Sequence, residues 1–268
     1  MSYLNYFNGK VIWITGASSG IGEALFKHLL RHTSASLVIS ARNAEKLNEI
    51  ANSSKDTSRV YVLPFDLGEN FDAEKLVNDV ISKFGRIDIL VNNGGVSQRA
   101  MVLETSEETE RKLFEVNYFS YVKLSKAVLP YMIRQKYGHI VVMSSIAGKF
   151  GFYLRSTYSA AKHALHGYFE SLRLEYENQG VLVTIVCPGK VKTNVSVNAL
   201  TGEGKKHNQL DESHQNAMSA DKAAEIILKR IAQKREEVYV GGKEIVMVYL
   251  KKYLTFVFNW LIRKQSPY

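Results

Sequence analysis

The chain has 268 residues, 46% of them hydrophobic, which is enough for one large domain or two small ones with an ample core. Its net charge of +9 comes from scattered lysines and arginines with no aromatic–basic platform, and the last 48 positions carry ten basic against five acidic residues, so +5 belongs to the C-terminus and a nucleic-acid face is excluded. One cysteine, Cys187, excludes an intramolecular disulfide and fits a reducing compartment.

Strands and helices alternate along the chain. Lys10–Thr15 is a short β-branched run, read as a buried strand, and a helix through Ala24, Leu25, Leu29 and Leu30 follows it. Leu37–Ser40, Val60–Leu63 and Ile87–Val91 are the next strands, with helices over Ala44–Ala51 and Ala73–Phe84. Helices around Glu107–Phe114 and Val116–Arg134 precede the strand Ile140–Met143. A helix over Thr157–Gln179 and the strand Val181–Val186 come next. Cys187 sits at the end of that run, before Pro188, as a buried small hydrophobe. The pattern predicts an α/β fold, a single doubly wound, Rossmann-type parallel sheet with helices on both faces, forming one domain over 1–268. Ligands of such sheets bind at the carboxyl ends of the strands.

Chemistry-bearing residues fall at those ends. Gly16-Ala17-Ser18-Ser19-Gly20-Ile21-Gly22 follows a strand and opens a helix, where small residues let a pyrophosphate approach and the helix N-terminus favours its charge. An acidic residue at the end of the second strand would hold the ribose 2′-hydroxyl of NAD. Here Ser40-Ala41-Arg42-Asn43 has no carboxylate before Glu45. The planar fork of Arg42 can pair with a 2′-phosphate, so NADP(H) is the expected cofactor; the alternative is a solvated helix-start arginine. Tyr158 and Lys162 lie four apart on one helical face, with Cβ atoms about 5–6 Å apart. An ammonium there favours phenolate, and lowering a tyrosine by about 3 units from 10 takes about 4 kcal/mol. No metal is expected.

Taken together these residues resemble the short-chain dehydrogenase/reductase family. The matching residues are Thr15–Gly22, Asp66-Leu67, Asn92-Asn93-Gly94-Gly95, Asn117, Ser145, Tyr158, Lys162 and Pro188-Gly189 with Val191 and Thr193, over roughly residues 8–195. Asn93–Arg99 is similar to the dehydrogenase/reductase member-7 group, and Gly94 stands where the family usually has Ala. The resemblance implies a catalytic set of Asn117, Ser145, Tyr158 and Lys162. Ser145 holds the substrate oxygen, Tyr158 delivers the proton, Lys162 lowers its pKa and binds the nicotinamide ribose, and Asn117 anchors a water relay to Lys162. It also implies that Gly16, Ser18, Ser19, Gly20, Ile21, Gly22, Arg42, Asp66, Leu67, Asn92, Gly94, Pro188, Gly189, Val191 and Thr193 contact the cofactor. Asp66 meets the adenine, Asn92 the adenosine side, and Val191 with Thr193 the carboxamide. A homodimer through the helices near 107–134 and 157–179, pairing further into a homotetramer or not, is part of the same expectation.

The polar stretch 194–216 follows Thr193 and is expected to close over substrate as a lid. His163 and His166 are expected on the helix surface or at an interface, and His207 and His214 in solvated loop. Tyr249–Lys264 reads as a helix with a narrow polar stripe, Lys251, Lys252, Thr255, Asn259 and Arg263, so most of its circumference must be buried. It packs on its own domain or a dimer mate, or it lies in a membrane interface helped by Lys251, Lys252, Arg263 and Lys264. No charged-then-apolar leader opens the chain and no apolar run reaches the ~18–20 residues that span a bilayer, so the location is read as cytoplasmic, with a membrane-associated alternative through the tail. The leading function is an NADPH-dependent oxidoreductase interconverting a carbonyl and a secondary alcohol, acting on a small molecule. The alternatives are a 3-oxoacyl-thioester reductase and a nucleotide-binding scaffold without turnover.

Overall fold

The computed structural model describes residues 2–53, 56–209 and 217–265. Seven strands form one all-parallel sheet: β1 (Val11–Thr15), β2 (Ser36–Ser40), β3 (Val60–Val62), β4 (Ile89–Asn92), β5 (Gly138–Met143), β6 (Val181–Pro188) and β7 (Glu237–Val240). Their order is 3-2-1-4-5-6-7. Every residue of β1, β4 and β5 is buried, as expected of strands covered on both faces.

Side-chain alternation divides the core in two. Ile12 and Ile14 face Leu25 and Leu29 of α1 (Gly20–His32), Leu47 of α2 (Ala44–Asn52) and Ile227 and Ile231 of α7 (Ala220–Ala232). Val11 and Trp13 face the other side. There they join Val77 and Val80 of α3 (Ala73–Phe84), Leu124 and Val128 of α5 (Ser120–Arg134), and Leu165 and Phe169 of α6 (Ser156–Tyr176). Buried Trp13 donates its indole N–H to Ser40 Oγ at 2.9 Å, so its one polar atom is satisfied. Helix ends follow local chemistry: Asp72 caps α3 by accepting from Lys75 N, and Gly85 closes it in the left-handed region at φ 76°. α4 (Glu107–Phe114) is capped by Ser106 and leads into a π-helical turn, Glu115–Phe119, before α5.

Because β1 and β4 are neighbours while β2 and β3 lie on the far side of β1, the chain reverses direction in the sheet between β1 and β4. Loops after those two strands part in opposite directions there and leave a crevice. The opposite, amino end of the sheet is closed. Buried Asp88 accepts from Val11 N at 2.8 Å and from Arg86, and His139 bridges Tyr6 and Thr184.

The structure differs from the sequence expectation at both ends of the chain. A 3-10 turn at Ser2–Phe7, helix α7 and edge strand β7 had not been predicted. The C-terminal stretch is not one helix but two, α8 (Val246–Tyr253) and α9 (Thr255–Arg263), broken at Leu254 with φ −134° and ψ 58°. Nor is most of its circumference buried. Phe258 alone of α9 is buried, against Phe150, while Tyr253, Leu254, Phe256 and Trp260 are exposed. Among the described residues no helix is long and apolar enough to cross a membrane.

Candidate active site

The crevice is floored by the glycine loop between β1 and α1. Gly16 and Gly20 adopt φ of 64° and 59°, a region that favours glycine. A Cβ on Gly16 would lie 2.4 Å from Gly94 Cα, and one on Gly22 would lie 2.4 Å from Gly16 O. Glycine is therefore required for the loop to pack this closely on Gly94 and on itself, and a Cβ on Gly20 would meet Thr193 Cγ2 of the cleft lining at 3.0 Å. Ser19, at the N-cap of α1, makes no side-chain cap, so the first-turn N–H groups have no protein oxygen placed over them by that residue. The loop is braced by Asn93, whose Nδ2 donates to Thr15 O at 2.9 Å and Gly16 O at 3.2 Å.

Of the residues expected at the cofactor, Gly16, Ser19, Gly20, Ile21, Gly94, Pro188, Gly189, Val191 and Thr193 line this one cleft. Ser18, partly buried, and Gly22 do not line it, Gly22 being packed against Gly16. Arg42 and Asp66 lie off the cleft beyond the end of β2 and pair with each other at 3.7 Å, Arg42 being 62% exposed. Leu67 covers Gly94: a Cβ there would meet Leu67 Cδ1 at 2.5 Å, so an alanine would need only that side-chain tip to turn. Asn92 is directed elsewhere. Its amide donates to Ser125 Oγ on α5 at 2.9 Å and is buried away from the cleft.

Asn117, Ser145, Tyr158 and Lys162 all line the same cleft. Ser145 ends the loop after β5, accepts from Ala147 N at 3.1 Å, donates to Pro188 O at 3.4 Å and shares a hydrogen bond with the Tyr158 hydroxyl. Ser144 also borders the cleft, but its hydroxyl is bonded to Lys162 O and His166. Lys162 is 3% exposed, donates to Met143 O at 2.8 Å and sits 5.9 Å from the centre of the Tyr158 ring. Asn117 lies in the π-helical turn, a distortion frequent at functional sites. It is held by Val96 N and O, with its Oδ1 only 2.7 Å from where a Cβ on Gly95 would be.

The electrostatics differ from the expectation that Lys162 lowers Tyr158. Burial comes first and pushes the phenol above its usual 10; the Ser145 hydrogen bond, then Arg155 and Arg99, pull it back down. Burial also drops the Lys162 ammonium to about 7. The i,i+4 spacing brings the groups to one place, but with both enclosed each loses solvation of its charged form.

Other residues at the site were not anticipated. These are Asn93 and Gly95, which line the cleft; Asn194, Val195 and Asn198 line it from the expected lid. The lid's 210–216, including His214, fall outside the described residues; His207 is partly buried. His163 is exposed as expected, but His166 is buried. It lies among Ser144, Lys149, Cys187 and Glu237, where burial lowers it to about 4. His166, Cys187 and Glu237 have metal-ligand spacing, yet Lys149 already supplies the cation by pairing with Glu237. Cys187 is fully buried, and burial raises its thiol.

This arrangement can hold a carbonyl oxygen between Ser145 and Tyr158 next to a cradle for a dinucleotide. The model of the short chain dehydrogenase family matches residues 10–204. The chain is 40% identical over 265 residues to the human protein "Dehydrogenase/reductase SDR family member 7", covering 96% of this chain and 77% of that one. Its fold matches a short-chain dehydrogenase/reductase from Burkholderia phymatum in complex with NAD, with a TM-score of 0.80, 22% identity and coverage of 94% and 96%. An alcohol dehydrogenase from Thermococcus sibiricus complexed with 5-hydroxy-NADP also matches, with a TM-score of 0.73, 25% identity and coverage of 87% and 97%. The chain belongs to the short-chain dehydrogenase/reductase family, oxidoreductases whose Rossmann fold binds a nicotinamide dinucleotide.

Proposed function

We propose that this protein is an NADPH-dependent reductase of small carbonyl compounds, able to run in reverse on secondary alcohols. The observation that carries the reading is the convergence of Ser145, Tyr158 and Lys162 on one cleft with the glycine cradle. The glycine surface, Val191 and Thr193 hold the nucleotide, and Arg42 meets a 2′-phosphate where no carboxylate ends β2. Bound there, the cofactor supplies the hydride. Ser145 Oγ and the Tyr158 hydroxyl take the carbonyl oxygen from two sides, which fixes its place and favours developing negative charge. With its pKa raised by burial, the Tyr158 phenol keeps its proton at neutral pH and gives it to that oxygen. Lys162, held on Met143 O, places a proton of variable occupancy behind the phenol, and Asn117 orders the cleft wall next to it.

The dimer follows the helices near 107–134 and 157–179, where Phe119 and Leu174 are exposed. The tail makes a peripheral contact with a membrane from the cytoplasmic side. Tyr253, Leu254, Phe256 and Trp260 are exposed beside Lys251, Lys252, Arg263 and Lys264, and 246–265 contains no acidic residue. Flotation with anionic liposomes tests this: binding should be lost in Phe256→Glu/Trp260→Glu, and no flotation of the intact protein removes the contact.

The catalytic reading is tested by fluorescence titration with NADPH and NADH, followed by a panel of aldehydes and ketones. Tyr158→Phe should cut turnover by about 10²–10⁴ while NADPH still binds. Turnover of acetoacetyl thioesters alone would reassign the substrate. Tight nucleotide binding with no turnover of either class would leave a scaffold, and no binding would overturn the cofactor site.

A further inference from the structure

The loop after β4 carries a residue that the chemistry above leaves without a role. Gln98 is 0% exposed, and a primary amide is rarely buried unless its hydrogen bonds are met. Here they are met at the start of the catalytic helix. Oε1 accepts from Thr157 N at 2.9 Å and from Tyr158 N at 3.1 Å. Nε2 donates to Thr105 Oγ1 at 2.9 Å and to Ser156 Oγ at 3.4 Å. The first N–H groups of a helix have no intrahelical partner, and Arg155 at the N-cap of α6 makes no side-chain cap to them. A glutamine 59 residues before Thr157 does the work that a local cap does elsewhere.

The main chain around the same residue is stitched to the other wall of the cleft. Gln98 forms a parallel bridge with Leu200; Leu200 N donates to Ser97 O at 2.9 Å and Arg99 N to Leu200 O at 2.8 Å. Leu200 ends the stretch whose Asn194, Val195 and Asn198 line the cleft. Ser145, in contrast, is seated independently by Ala147 N and Pro188 O, and the glycine loop by Asn93. Any slip of the first turn of α6 therefore moves the phenol relative to Ser145 and to the nucleotide cradle at once.

We propose that Gln98 is a positioning residue for the reaction: its side chain sets the first turn of α6, and so the Tyr158 hydroxyl, in register with the 194–200 wall that its backbone holds. This rests on reading Tyr158 as the proton donor. A misplacement of about 1 Å at such a group can cost about 100-fold in rate. Gln98 thereby gives a physical role to one residue of the Asn93–Arg99 stretch, which carries no catalytic group of its own.

The test compares wild type, Gln98→Met and Gln98→Glu using the best ketone from the panel, with NADPH affinity, Tm and the pH profile of kcat. Methionine keeps the length but offers no comparable acceptor. Glutamate keeps the acceptors at a helix N-terminus, where a carboxylate is favoured, and loses the amide donor. Gln98→Met should lower kcat by about 100-fold with NADPH affinity within about twofold. Gln98→Glu should recover at least about tenfold of that loss and move the alkaline limb upward, because a nearby carboxylate disfavours phenolate. If Gln98→Met fails to fold, the shifted limb of Gln98→Glu carries the test. Near-wild-type kcat in Gln98→Met overturns the proposal. So does an equal loss in both variants that tracks Tm with an unmoved limb, since that is a merely structural cap. Undiminished turnover in Tyr158→Phe would instead remove the proton-donor reading, and is told apart because it leaves the Gln98 variants' effect on kcat to be measured.

Discussion

The two ends of the sheet both bury ionisable groups, and they treat them differently. At the amino end, Tyr137 donates to Tyr6, Tyr6 to His139 Nδ1, and His139 Nε2 to Thr184, whose hydroxyl donates on to Arg235 O. That chain ends on a backbone carbonyl, and Asp88 beside it is likewise filled by Val11 N and Arg86. At the carboxyl end, Lys162 has Met143 O, and Tyr158 has Ser145, while both still line an open cleft. Burial lowers both cations, His139 to about 3 and Lys162 to about 7. His139 is thereby locked neutral near pH 7, whereas Lys162 is left poised between its two states. Closure serves the fold; incomplete closure beside a cleft suits the proton transfer proposed for it.

This contrast predicts a double dissociation. Asp88→Ala at the amino end leaves the buried Val11 N–H without its acceptor, while the half-exposed Arg86 turns to water, and should cost about 1–3 kcal/mol in denaturant unfolding. Turnover per folded molecule should be unchanged, and a fall in kcat comparable to that in stability would break the comparison. Lys162→Met at the carboxyl end should do the reverse, with kcat/KM down by about 100-fold, or about 2.7 kcal/mol. Its Tm at pH 7 should be no lower than wild type, because a desolvated amine is removed. A large drop in Tm would show that Lys162 is a structural group. His139 gives the smaller, pH-dependent signature. Its folded pKa is depressed below the unfolded 6.5, so the unfolded chain binds the extra proton and stability falls with pH below 6.5 until about 3. Between pH 8 and 5 that amounts to about 2 kcal/mol, and His139→Gln should lose this share of the slope.

What could be read in the sequence was chemistry with short spacing. The glycines between β1 and α1, the Tyr158–Lys162 offset and the alternation of strands and helices are all local, and the apolar runs of the first six strands declare themselves. Helix α7 does carry the helical period, in Ala223, Ala224, Ile227, Leu228 and Ile231, but a reading of that region for charge passes over it. β7 is four residues with a charged flank, too short to stand out. Asn92 and Asn93 show the cost of strand parity: β4 ends at Asn92, whose side chain turns to α5, so the next residue braces the glycine loop. Gln98 could not be found by spacing at all, since its bonds span 59 and 60 positions. The raised Tyr158 pKa was equally hidden, because sequence shows a neighbouring charge and not how much water both groups have lost.

An exposed ion pair on the proposed adenosine side sharpens the comparison from outside. Arg42 and Asp66 are 3.7 Å apart, with the Arg42 side chain well exposed and Asp66 half-buried, so their pairing adds little to stability. On the proposed reading its meaning is selective instead: the guanidinium near the end of β2 would offer a fork to a 2′-phosphate, with Asp66 beside it at 3.7 Å. Arg42→Asp would set two carboxylates side by side and turn attraction into repulsion. The ratio of kcat/KM for NADPH to that for NADH should fall by about 10-fold, or about 1.4 kcal/mol, with Tm unaltered. The measurement is a pair of steady-state titrations on each protein. If wild type shows no NADPH preference to lose, the 2′-phosphate assignment goes, while the proton chemistry at Tyr158, on the other side of the cleft, stands untouched.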